Sequence, residues 1–134
     1  LDGEPSYEAC TQLWLRVAEN PHVRVIGHSG APAYAYDYEK VIPQFAAQGK
    51  LIEINNATFR VRKSSVENCM KIAKACKKAG AYIVVNSDAH FSTAVGNADL
   101  ALAMLAEIDF PQELVVNADT GRFKDYLRAC GISL

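Results

Sequence analysis

The stretch "AYIVVNSDAH", residues 81–90, decides the fold. It is apolar and rich in β-branched residues through Val85, then turns polar and ends on Asp88 and His90. A short apolar run with this composition, bounded by polar turn-forming residues, reads as a buried strand. The residues before it read as a helix. Ser64 or Ser65 starts that helix, Val66, Met70, Ala73, Cys76 and Lys77 fall at helical spacing, and Gly80 terminates it.

The same alternation continues in both directions. Upstream, "LIEINN" (51–56) is a second strand, and Asp37 caps a helix through Gln48 whose apolar face is Val41, Ile42, Phe45 and Ala46, with Gly49 as its stop. Before that, "VRVIGHSG" (23–30) is a short buried strand ending in glycine-flanked His28. Pro5 stands at the start of a first helix carrying Leu13, Trp14, Val17 and Ala18, and Pro21 stops it by biasing Asn20 away from helical geometry. Downstream, a helix fits residues 97–107, "ELVVN" (113–117) is a short extended piece, and Thr120 to Ala129 form a last helix. Strands separated by helices of this length imply parallel pairing, because a parallel crossover needs about a dozen residues. The expected fold class is α/β, built from parallel βα units.

Composition narrows the function classes. A chain of 134 residues, 50% apolar and 22% charged, is one globular domain spanning 1–134 with enough material for a core. The net charge of −1, with acids and bases interspersed, leaves no electrostatic footprint for nucleic acid or an anionic membrane. No run approaches the ~20 apolar residues of a membrane span, and no charged and then apolar leader opens the chain, so it reads as soluble and cytoplasmic. Cys10, Cys69, Cys76 and Cys130 form no C-x-x-C pair and read as reduced thiols. Leu1 in place of an initiating Met fits a fragment of a longer protein.

Parallel α/β sheets place ligands at the carboxyl ends of their strands. His28, Asn55 with Asn56, and Asp88 with His90 each follow a strand, so all three clusters are expected on one rim, with the side chains of His28, Asp88 and His90 facing one cavity. Taken singly each has an ordinary reading, as a structural histidine, turn-forming asparagines or a helix cap. Their convergence raises the functional reading. His22 precedes its strand and reads as structural. Imidazole and carboxylate together suit Zn, Mn or Fe, three ligands suffice for a catalytic zinc with one open position, and such an ion lowers the pKa of bound water toward ~7. A strict strand would point Asp88 and His90 to opposite faces, but a strand end can turn both inward. Arg62 and Lys63 follow the "EINN" strand end, where a guanidinium can hold phosphate bidentately; the alternative is a solvated basic loop. Ser29, Asn55 and Ser92 are further candidates for the pocket lining.

The segments "VIGHSGAP" (25–32), "LIEINNATF" (51–59), "RKSSVENC" (62–69), "VVNSDAHFSTAVG" (84–96) and "IDFPQELVVNADTGRFKDYL" (108–127) match a known family in order and spacing. From about Asn20 onward the chain resembles the C-terminal half of PHP-domain metal-dependent phosphoesterases, the polymerase and histidinol phosphatase group, and especially its YcdX-like phosphatase branch. The resemblance implies a distorted barrel of seven βα units whose strand ends hold up to three zinc or manganese ions and hydrolyse phosphate monoesters. It implies His28, Asp88 and His90 as metal ligands, each to a different ion, and Arg62, Lys63 and Asn55 as contacts to a small phosphorylated substrate. The family's first-strand H-x-H motif, its further histidines and its bridging glutamate have no counterpart here. The chain alone is therefore expected to be a truncated, inactive portion whose partner is the missing N-terminal half. Strand edges freed on both sides would also favour self-association. Two other readings are a non-catalytic PHP-like structural or interaction module and an amidohydrolase-like metal-dependent hydrolase.

Overall fold

The computed structural model describes residues 5–134, so Leu1 lies outside the described residues. Helix α1 (Tyr7–Glu19) begins just after Pro5, with Ser6 as its cap accepting from the Ala9 amide, and it ends at Asn20 in extended geometry before Pro21. Strand β1 (Val25–Ile26) is brief. Helix α2 (Tyr38–Ala47) is capped by Asp37, and Gly49 beyond it takes φ +63°. Strand β2 is Leu51–Asn55. Where the sequence predicts only a basic loop, the chain instead makes a one-turn helix, α3 (Thr58–Val61), and a 3-10 turn (Lys63–Ser65). Helix α4 (Val66–Ala79) then runs to Gly80 in the left-handed region, β3 is Ile83–Asn86, and α5 is Asp99–Glu107. The "ELVVN" piece is mostly two 3-10 turns, Gln112–Leu114 and Val116–Ala118, rather than an extended segment. Helix α6 (Thr120–Ala129) closes the chain, capped by Asp119.

The strands form a parallel sheet in sequential order β1-β2-β3, with Ile26 opposite Ile52, and Asn55 opposite Asn86. The α/β class and the parallel pairing are those the sequence predicts. Alternation along the strands gives the sheet two different faces. Ile26, Ile52, Ile54 and Ile83 belong to the main core, with Val41, Ile42 and Phe45 of α2, Ile72 and Ala73 of α4, and Met104 and Leu105 of α5. Leu51 and Val84 lie on the opposite face in a small cluster with Val116, against Tyr126 of α6. The Tyr126 hydroxyl donates to the Gly49 carbonyl, pinning α6 across the lower end of that face. Above this cluster the face turns polar, and β2 contributes Glu53 and Asn55 to it.

The two sheet edges differ. Among the described residues β1 pairs only with β2. On the other side Val115 makes a single parallel bridge to Ile83, and the Asn117 amide accepts from the Val85 N–H at 3.0 Å and donates to its carbonyl at 2.7 Å. One side chain thus satisfies the groups that a further strand would have paired. The expectation of free edges on both sides is corrected for β3, because Val115 and Asn117 cover it.

Asn56 ties the rim to the core. It is 3% exposed, its Oδ1 accepts from the Ala101 amide in α5 and its Nδ2 donates to Asp99. Asn56→Ala should leave that buried N–H unpaired and cost about 1–3 kcal/mol. The expected result is a lower urea midpoint with unchanged m-value, and faster amide exchange in the first turn of α5.

Candidate functional site

Gly27 and His28 carry the chain out of β1. His28 takes φ 52°, and its amide leaves the strand ladder to donate to Glu53 Oε2 at 3.1 Å. Asp88, two residues past β3, takes the same φ of 52°. Left-handed geometry costs a residue with a Cβ about 1–2 kcal/mol, and such strain persists where the surroundings impose it, often at functional sites. Among the described residues one other non-glycine has positive φ, Asp109, and it sits in a helix-ending turn where Phe110 N–H donates to the Leu105 carbonyl. His28 and Asp88 end no helix. Both are strained strand-end residues, and their side chains meet across β2.

The His28 ring lies between two carboxylates, with Nδ1 3.9 Å from Glu53 Oε2 and Nε2 3.8 Å from Asp88 Oδ2. Arg62 donates to Asp88 Oδ2 at 3.0 Å, and Asn86 Nδ2 donates to Glu53 Oε1 at 2.9 Å. The Arg62 hydrogen bond holds the Asp88 carboxyl below its ordinary value against the opposing effect of burial, with Asn55 and His28 adding to the lowering. A lowered folded pKa means the unfolded chain binds the proton more readily. The resulting stabilisation is present above the ordinary carboxylate range and is lost as pH falls through the folded value. Urea midpoints measured between neutral and acidic pH should therefore fall, and Arg62→Ala should flatten that fall.

The predicted residues separate into groups. Asp88 and His90 share a cleft of about 440 Å³ with Arg62, Arg60, Asn56 and Phe91. His28 instead lines an adjoining cavity of about 20 Å³, with Ser29, Glu53, Asn55 and Cys69. The expectation of one shared cavity is thus corrected: two compartments adjoin, and the Asp88 carboxylate beside the His28 ring links them. The His90 ring turns back on its own loop, Nδ1 lying 2.9 Å from the Asp88 carbonyl. Asn55 faces the smaller cavity, its Oδ1 accepting from the Ala57 amide. Lys63 and Ser92 are exposed and line neither space. Ser29 is buried, with an unpaired Oγ. His22 lies before β1, where a structural histidine was expected.

Sequence reasoning missed Glu53. An acid in the middle of "LIEIN", between residues that are fully buried, was the available signal. Its side chain is 12% exposed and it sits close enough to Cys69 to add to the burial that pushes that thiol up to about 11. All four cysteines are unpaired.

One imidazole nitrogen and one carboxylate oxygen converge on the rim, a donor pair of the kind that zinc, manganese and iron accept. The set is partial. Among the described residues no group of three His, Cys, Asp or Glu side chains is arranged to hold a metal ion. Also among them, no helix is long and apolar enough to cross a membrane.

Strained strand-end groups, a guanidinium-paired carboxylate and a cleft beside them describe a polar ligand site at the carboxyl rim of a parallel sheet. No protein-family model matches the chain. It is similar to a protein named "Probable phosphatase" from Caldicellulosiruptor saccharolyticus, 43% identical over 121 residues, which is 90% of this chain and 51% of that protein. A protein of the same name from Acetivibrio thermocellus is 42% identical over 121 residues, 90% of this chain and 50% of its own length. Another from Clostridium novyi is 42% identical over 125 residues, covering 92% and 51%. The chain spans about half the length of these curated relatives.

Proposed function

We propose that the chain is the part of a metal-dependent phosphate monoester hydrolase, of the PHP type, that brings His28, Asp88 and His90 to the metal centre and Arg62 to the substrate. The observation that carries this reading is the meeting of two strained strand-end residues, His28 and Asp88, beside the Arg62 guanidinium. Similarity to proteins named as phosphatases supports it. A parallel sheet in sequential order is also what a βα barrel would continue.

When bound, zinc or manganese would polarise the phosphoryl group and make hydroxide available near neutral pH. Within the chain, Asp88 offers an anionic oxygen and His28 a ring nitrogen. Arg62 reaches from Asp88 into the cleft, where one guanidinium nitrogen can bind a phosphate oxygen. Asn55 lies in the smaller cavity and Lys63 is exposed outside both, so the phosphate contact falls to Arg62. The remaining ligands would come from the other half of a relative-length protein. That half would also pair the free edge of β1 and cover the polar upper face of the sheet; without it, the same surfaces favour self-association.

Turnover of p-nitrophenyl phosphate with added Zn²⁺ or Mn²⁺ tests the reading. The isolated chain should show negligible turnover, and a relative-length protein containing it should be active. Metal-stimulated turnover by the chain alone, abolished by Asp88→Ala, would show that its ligand set is complete. An inactive but folded relative-length protein would count against phosphatase chemistry.

A further inference from the structure

Glu53 is a carboxylate in the middle of a strand, on the face that carries the site, with a side chain 12% exposed. A buried carboxylate needs donors or a cation to offset its desolvation. Glu53 has two donors, the His28 amide at 3.1 Å on Oε2 and the Asn86 amide at 2.9 Å on Oε1. Among the described residues its one ion-pair contact is the His28 ring. Asp88, on the other side of that ring, is more exposed at 24% and already has Arg62 at 3.0 Å.

These two environments compete for the single N–H of a neutral imidazole. The ring stands 3.9 Å from Glu53 Oε2 and 3.8 Å from Asp88 Oδ2, so distance does not choose between them; the carboxylate whose charge no guanidinium or ammonium offsets exerts the stronger pull on that proton. The same Oε2 that takes the His28 backbone N–H faces ring Nδ1, so one oxygen addresses both ends of the residue. The proton a histidine carries on one nitrogen settles which lone pair is free on the other.

We propose that Glu53 is a positioning residue: it holds His28 in its left-handed backbone geometry and keeps the ring proton on Nδ1, leaving the Nε2 lone pair directed at the Asp88 side of the cleft. This rests on the reading of His28 as a ligand-bearing residue, and it adds the carboxylate that orients it. Carboxylates that accept from the second nitrogen of a metal-binding histidine typically tune its affinity 10- to 100-fold.

The test needs no turnover. Long-range ¹H–¹⁵N spectra of the ¹⁵N-labelled chain report which nitrogen of each neutral ring is protonated, and His28 is assigned among the three histidines by its loss in His28→Gln. The wild-type His28 ring should be in the Nδ1–H form. Glu53→Gln leaves Asp88 as the one charged acceptor at the ring and should move the proton to Nε2; Asp88→Asn should leave it on Nδ1. A residue that merely supported the fold would not switch the tautomer. A wild-type ring protonated on Nε2 would overturn the proposal, and so would a Glu53→Gln chain with a native-like amide spectrum and an unmoved proton. If Glu53→Gln does not fold, the wild-type and Asp88→Asn spectra still decide. An inactive relative-length protein would fail the phosphatase reading while leaving this result standing.

Discussion

In a relative-length protein that contains this chain, Asp88→Asn is expected to lower kcat for a phosphate monoester by about 10²–10³-fold, with KM little raised. On the proposed reading of Asp88 as a metal ligand, the magnitude follows from losing several kcal/mol of charge stabilisation once its carboxylate becomes a neutral amide. The split between kcat and KM follows from Arg62, whose guanidinium donates to Asp88 Oδ2 at 3.0 Å. Removing the negative charge frees that guanidinium for the substrate's phosphate, so ground-state binding is kept while transition-state stabilisation is lost. Asparagine is the informative replacement because it tolerates φ 52° at least as well as aspartate. An alanine there would mix lost charge with lost backbone stability. Steady-state kinetics on p-nitrophenyl phosphate, with metal content measured on the same samples, checks this. An unchanged kcat would remove Asp88 from the metal centre.

The largest stability effect is expected at Phe45. Its side chain is 0% exposed, and its ring meets Trp14 edge-on at 6.1 Å between α1 and α2. Phe45→Ala should cost about 3–5 kcal/mol, the lost transfer free energy plus a cavity that the surrounding isoleucines cannot fill. Against a typical total of about 5–15 kcal/mol, that leaves the chain marginal or unfolded at ambient temperature. Phe91 has the same side chain on the rim, yet it is 78% exposed, and Phe91→Ala should change stability by no more than about 0.5 kcal/mol. Urea melts of the two variants side by side measure the contrast. Comparable losses at the two positions would mean that Phe91 packs against something in solution.

The positions of His28 and Asp88 were legible in the sequence because a parallel strand delivers its carboxyl end to one rim, whatever packs below it. That rule carries residues to a neighbourhood and no further. It put His90 in a cavity with His28, but the ring instead turns back to the Asp88 carbonyl. The direction of a side chain on a loop depends on rotamers and turns that no periodicity encodes. Lys63 separates from Arg62 for the same reason, lying exposed outside the cleft that Arg62 lines.

The strand, helix and cap assignments came from local chemistry, with β-branched apolar runs for β2 and β3, Asp37 at the start of α2 and Gly80 at the end of α4. These depend on side chains and backbone within a few residues, so the sequence by itself determined them. Val115 and Val116 carry strand propensity too, yet they lie in and between 3-10 turns. Only the tertiary structure decided that, because Val115 has one bridge to make, Val116 has an apolar cluster to join, and Asn117 supplies the remaining hydrogen bonds of the β3 edge. Glu53 is the plainest case. As a residue in a string it is an acid in an apolar strand, and its meaning comes from the His28 amide and ring, 25 positions away in the chain, which only the pairing of β1 with β2 brings to its carboxylate.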